Sequence, residues 1–130
     1  MLSFSRIFPA TIHQNDIILL AVSGGVDSMV LLDLVRKFHS SENIIVAHFD
    51  HALRWAESEG DREFVANFCN SNSIPFFSEK KNISELAKES KWSIEAIARR
   101  ERYAFLERIK RENSAKYIVT AHHADDQVET

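Results

Sequence analysis

The stretch Ile17–Ser28, IILLAVSGGVDS, constrains the chain most, because an apolar run breaks on two adjacent glycines and a helical pattern resumes at once. Ile17, Ile18, Leu19, Leu20, Ala21 and Val22 show no alternation. That suits a parallel strand covered on both faces rather than one half exposed to water. Gly24 and Gly25 allow positive φ and bring backbone N–H groups close to a ligand, while Ser23 and Ser28 add hydroxyls. A helix opening at Asp27 or Ser28 aims its unpaired N–H groups and positive dipole end into the same space. The physical reading is an anion cradle for phosphate. A Walker A loop is excluded by the short spacing and the lack of a lysine after the second glycine. The bland alternative is a glycine turn of an ordinary α/β protein, with Asp27 a helix-start carboxylate favoured by about 0.3–1 kcal/mol from the dipole.

Further apolar runs alternate with helical patterns. Met29 to Phe38 reads as an apolar helix, Asn43 to Phe49 as a second buried strand, and Ala56 to Ser73 as a helix. Ile74 to Ser78 reads as a third strand with Pro75 at its start, and Lys80 to Lys91 as a loop with one helical turn. Ser93 is an N-cap for a helix from Ile94 to about Asn113, and Tyr117 to Thr120 is a fourth strand. Met1 to Ile12 is taken as a short packing helix despite Pro9. The order β, α, β, α, β, α, β argues for an α/β fold: a doubly wound, Rossmann-like parallel sheet with helices on both faces and right-handed crossovers. A last helix is expected to begin near Asp125, and a chain stopping at Thr130 inside it reads as the truncated first part of a larger domain.

At 130 residues, the chain is one domain's worth. Its net charge of -3 supplies no global basic field for nucleic acid, so such a partner needs a local patch or further residues. One cysteine, Cys69, makes no internal disulfide, and no apolar run is long enough for a signal peptide or membrane span. A cytoplasmic location is the default.

In an open parallel sheet, ligands bind beyond the carboxyl ends of the strands, where strand order reverses. Three polar strings sit at such ends: SGGVDS, HFDHALR (His48 to Arg54) and AHHADDQVET (Ala121 to Thr130). They converge on one crevice if the fourth strand lies beside the first. Asp50, His51 and Arg54 sit where an adenosine ribose and base commonly lie, with a polar strand end as the plain alternative. Zinc between His48 and His51 is disfavoured, since spacing alone rarely makes a site. Asp125 and Asp126 fall at the expected helix start, where Asp126 and Glu129 share a face. Carboxylates facing a phosphate cradle suit Mg²⁺, although an acidic helix start also occurs with no ligand. In IEAIARRERYAFL, Arg102 falls within the apolar stripe and needs an anion, either a ligand phosphate or a carboxylate such as Glu101.

SGGVDS resembles the pyrophosphate loop of the PP-loop ATP pyrophosphatases, which cleave ATP between its α and β phosphates. Together with HFDHALR, ARRERYAFL and TAHHADDQVET, from about Asp16 to Thr130, it is similar to the N-terminal catalytic domain of the bacterial tRNA(Ile)-lysidine synthetase family. Members adenylate the wobble cytidine of an isoleucine tRNA with ATP, and the ε-amine of free lysine then displaces AMP. The resemblance implies that Ser23, Gly24, Gly25, Val26, Asp27 and Ser28 hold ATP phosphates, with Asp50 and His51 also contacting nucleotide. It implies Mg²⁺ at Asp27 and Asp126, charge stabilisation by Arg102, and positioning of Mg²⁺ or the lysine amine by Asp126 and Glu129. The implied partners are tRNA(Ile), held mainly by regions beyond these residues, and free lysine; a membrane is not among them, and a homodimer is compatible. The competing readings are a tRNA thiolase of the same superfamily, which Cys69 alone does not suit, and an ATP-binding module without chemistry.

Overall fold

The computed structural model describes residues 12–50, 55–120 and 128–129, with backbone alone for 55–59 and 128–129. Its strands are β1 (Ile18–Ala21), β2 (Ile44–Asp50), β3 (Phe76–Lys80), β4 (Tyr117–Thr120) and β5 (Val128–Glu129). Its helices are α1 (Val26–Phe38), α2 (Trp55–Ser71), α3 (Ile83–Lys88) and α4 (Ile94–Glu112), and a 3-10 turn spans Ser41–Asn43. The sheet order is β3-β2-β1-β4-β5. The first four strands are parallel, and β4 lies beside β1 as the convergence argument requires.

Each central strand divides its side chains between two cores, because successive residues point to opposite faces. One core gathers Ile18, Leu20, Val22, Ile44 and Val46 from the sheet with Leu31, Leu32 and Val35 of α1 and Val65 and Cys69 of α2. The other gathers Leu19, Ile45, Ala47 and Ile118 with Phe105, Leu106 and Ile109 of α4. Covering both faces explains why β1 is apolar at every position. Complete burial of each Leu or Ile contributes roughly 1.5–3 kcal/mol.

The helix ends follow local chemistry. Ser93 Oγ accepts the Ala96 N–H at 3.1 Å, as expected of an N-cap. The ends of α2 and α4 turn through left-handed Ser73 and Ser114, both at φ 56°. Beyond them, Ile74 N–H returns to Cys69 O and Ala115 N–H to Lys110 O, both at 2.9 Å, which satisfies helix-terminal carbonyls.

Three expectations are corrected. The third strand is Phe76–Lys80, not Ile74–Ser78: Pro75 has no N–H to give a ladder, and its carbonyl instead accepts the Val46 N–H just before the strand begins. Lys80–Lys91 is not mainly loop but contains α3, because Asn82 Oδ1 caps it by accepting the Glu85 N–H at 3.2 Å. The helix expected to carry Asp126 and Glu129 on one face is replaced at its far end by β5. Val128–Glu129 pairs antiparallel with Val119 and Ile118. Extended backbone there satisfies groups on the open edge of β4, which a short helix could not do. The packing helix expected over Met1–Ile12 lies outside the described residues apart from Ile12, which is buried.

Candidate functional site

The end of β1 sets the site. Val22 still belongs to the sheet, donating its N–H to Ala47 O at 3.0 Å, and the chain then turns through Ser23, Gly24 and Gly25 into α1. Gly24 has φ 92°, and a Cβ there would lie 2.8 Å from Cβ of Asp61 on α2. Both the backbone twist and the close approach therefore demand glycine at this position. Gly25 is the N-cap of α1 and offers no side chain to the helix amides.

Inside the turn, Ser28 is the organising group. Its Oγ accepts the N–H groups of Ser23 at 3.2 Å and Gly24 at 3.1 Å, and donates to Gly25 O at 3.1 Å. The two hydroxyls also lie 3.1 Å apart, a contact in which either oxygen can be the donor. Gly25 N–H in turn donates to Ser23 Oγ at 3.3 Å. The Ser28 side chain is thus folded into the loop as an internal brace. The N–H groups of Val26, Asp27 and Ser28, which have no intrahelical acceptor by the geometry of a helix start, remain to face an anion.

A cleft of about 390 Å³ opens beneath this loop. Ser23, Gly25, Val26, Asp27 and Ser28 line one side, Ala21, Val22, Ala47 and Phe49 the sheet edge, and Arg102 and Leu106 of α4 the other side. It is large enough for a small-molecule ligand, with a polar end at the loop and an apolar floor. The Arg102 guanidinium lies 5.1 Å from the Tyr103 ring centroid, a cation–π distance that restricts its orientation. Glu101, the alternative partner considered for it, is engaged by Lys81 at 2.6 Å and by Arg100 at 3.3 Å. These contacts hold its carboxyl below the usual carboxylate range, with the Lys81 hydrogen bond the largest cause.

The structure brings Ser23, Gly25, Val26, Asp27, Ser28 and Arg102 around one cleft, with Gly24 shaping the turn. Asp50 is elsewhere. It shares its strand face with Val46 and His48, is 5% exposed, and is absent from the cleft lining, which takes Ala47 and Phe49 from the opposite face. His51, Arg54, Asp125 and Asp126 lie outside the described residues, and only the backbone of Glu129 is described. Thr120, which ends β4, is in register with Ala21, which ends β1, so β4 ends level with the start of the glycine loop. The apolar floor was not anticipated from the sequence. Its signal is the alternation in β2, where Ala47 and Phe49 fall on the face of Leu19 and Phe105. Among the described residues, no group of three or more His, Cys, Asp or Glu is placed to hold a metal ion. Asp27 supplies one carboxylate beside hydroxyls at the polar end, a donor set that fits Mg²⁺ held jointly by protein, water and phosphate.

Residues 3–130 match a family model described as a PP-loop domain. The tRNA(Ile)-lysidine synthase of Clostridium acetobutylicum is 40% identical over 121 residues, covering 92% of this chain and 26% of that protein. That of Thermus thermophilus is 44% identical over 116 residues, covering 89% and 22%. The chain thus spans about a quarter of the length of these relatives. Among solved structures, the U34-tRNA thiolase NcsA of Methanococcus maripaludis superposes with a TM-score of 0.72 at 16% identity, over 95% of this chain and 43% of that one. The NH3-dependent NAD synthetase of Campylobacter jejuni gives 0.66 at 15% identity, over 82% and 47%. These two likenesses establish a shared fold.

Proposed function

The chain belongs to the PP-loop domain family, and from that premise we propose that it is the ATP-binding part of a tRNA(Ile)-lysidine synthase. In this reading the protein adenylates the wobble cytidine of tRNA(Ile) and lets the ε-amine of lysine displace AMP, forming lysidine. The observation that carries it is the cleft that joins the glycine loop to Arg102. The loop and the first N–H groups of α1 bind phosphate, while the apolar floor of Ala47, Phe49 and Leu106 accepts the adenine and excludes water from it. Arg102 approaches from α4, where its fixed charge can stabilise negative charge developing on the α-phosphate. Asp27 would hold Mg²⁺, whose chemistry is to neutralise the departing pyrophosphate. Asp126 and Glu129 are assigned to positioning Mg²⁺ or the lysine amine on the match of DDQVET alone.

A thiolase of similar fold is the weaker reading. Cys69 is fully buried in the core, and burial pushes its thiol up to about 11, so it carries no thiolate for sulfur transfer. No helix among the described residues is long and apolar enough to cross a membrane. The reading is tested by mass analysis of tRNA nucleosides after the intact protein is incubated with tRNA(Ile), ATP and lysine. Lysidine is the expected product; thiolated nucleoside, or ATP–pyrophosphate exchange that ignores tRNA, would replace the reading with another activation chemistry.

A further inference from the structure

Among the described residues, His48 is the one imidazole in the sheet beside the glycine loop, and it is absent from the cleft lining. It follows Ile44 and Val46 on the same face of β2 and is 4% exposed. Its Nδ1 lies 2.8 Å from the carbonyl oxygen of Val22. A carbonyl only accepts, so Nδ1 carries the hydrogen. Nε2 is then a bare acceptor, buried with no hydrogen-bond partner among the described residues. An imidazole satisfied on one side only is a costly occupant of a position that an aliphatic residue could fill. Its bond to Val22 O is a contact that a leucine at this position would not make.

That bond falls on the peptide that begins the loop. The oxygen of the Val22–Ser23 peptide is held by His48, and the hydrogen of the same peptide is held by Ser28 Oγ at 3.2 Å. Val22 N–H is already fixed on Ala47 O. The peptide plane is pinned at both ends, with its oxygen toward β2 and its N–H toward the loop interior. Rotating that plane would turn a carbonyl toward Ser28 Oγ and dismantle the brace that sets Gly24 and Gly25.

The geometry points to His48 as a positioning residue for the phosphate loop, acting through the Val22–Ser23 peptide to hold the cradle in its binding shape before ATP arrives. This rests on the proposed ATP role of the loop. The test measures Mg²⁺-ATP and adenosine binding by calorimetry on the intact protein, with melting temperatures alongside. His48→Leu is expected to weaken ATP about tenfold, the scale of one lost hydrogen bond to an organised site, while leaving adenosine within twofold. His48→Asn places an amide N–H where Nδ1 stood and should restore ATP affinity to within about twofold. His48→Gln places its amide at the Nε2 position and should not. Unchanged ATP affinity in His48→Leu, parallel loss of ATP and adenosine, or equal affinities in the Asn and Gln variants would each overturn the assignment. The last comparison holds even if His48→Leu does not fold. Gly24→Ala separates the two claims: if it leaves ATP binding intact, the loop is not the ATP cradle and the inference falls with that reading. If Gly24→Ala abolishes binding while His48→Leu does not alter it, the assignment of His48 alone fails.

Discussion

Gly24 shows how a single residue can be dictated twice over. Its φ of 92° disfavours any L side chain, and Asp61 occupies the space a Cβ would enter. Gly24→Ala is therefore expected to destabilise the fold by about 1–3 kcal/mol, combining backbone strain with an overpacked contact. Denaturant unfolding measures this, and a loss below about 0.5 kcal/mol would mean that the loop relaxes without consequence. Arg102 obeys a different logic, because it lines the cleft from a helix whose core contacts are made by Phe105, Leu106 and Ile109. In the proposed role, where Arg102 stabilises charge on the α-phosphate, its removal should cost rate rather than fold. Arg102→Ala is expected to lower the rate of AMP formation about 100- to 1000-fold with little change in melting temperature. Single-turnover kinetics decide, and a wild-type rate would remove Arg102 from the chemistry.

At the scale of elements, the sequence was legible wherever one local signal dominated. The uniform apolarity of β1, the hydroxyl of Ser93 and the stripe of α4 each specified an element that the structure bears out. Illegibility began where long-range pairing decided. β3 is placed by its register with Val46 to Asp50, which the aromatic run IPFF does not reveal. β5 is defined by its antiparallel pairing with Val119 and Ile118 of β4, which two residues of local sequence do not reveal. The site followed the same rule: the glycine loop was readable, whereas the exclusion of Asp50 from the cleft depends on which face of β2 each residue takes. Lys81 and Glu101 provide another such contact, tying the chain just after β3 to α4 at 2.6 Å. The Glu101 carboxyl is lowered by that bond, so its stabilising contribution is complete above its ordinary value of 4.5 and is lost as pH falls through the lower folded value. Lys81 is 39% exposed, which limits the pair to at most about 1 kcal/mol. Glu101→Gln should lose about that much at pH 7, and the gap from wild type should narrow below pH 4.5. A gap independent of pH would assign the loss to packing.

For the molecule as a whole, the sheet separates two cores, and the cleft is where both layers reach the same space. The glycine loop and the start of α1 arrive from one layer, and Arg102 and Leu106 arrive from the other. A ligand spanning them makes contacts that exist only when both layers are docked on the sheet, so its binding energy adds to the stability of the folded state. At a free concentration a hundred times its dissociation constant, such a ligand stabilises by about 2.7 kcal/mol. For a domain of this size, that corresponds to a rise in melting temperature of roughly 10 °C. Mg²⁺-ATP should produce that rise in a thermal scan, and adenosine, which reaches the apolar floor without the loop, should produce less at the same concentration. The order discriminates between sites. A ligand seated at the sheet edge alone would be indifferent to its phosphates, so equal shifts from adenosine and ATP would place the nucleotide away from the glycine loop. With Gly24→Ala, the excess shift of ATP over adenosine should disappear while the adenosine shift remains, because the substitution disturbs one wall of the cleft and leaves Ala47, Phe49 and Leu106 in place.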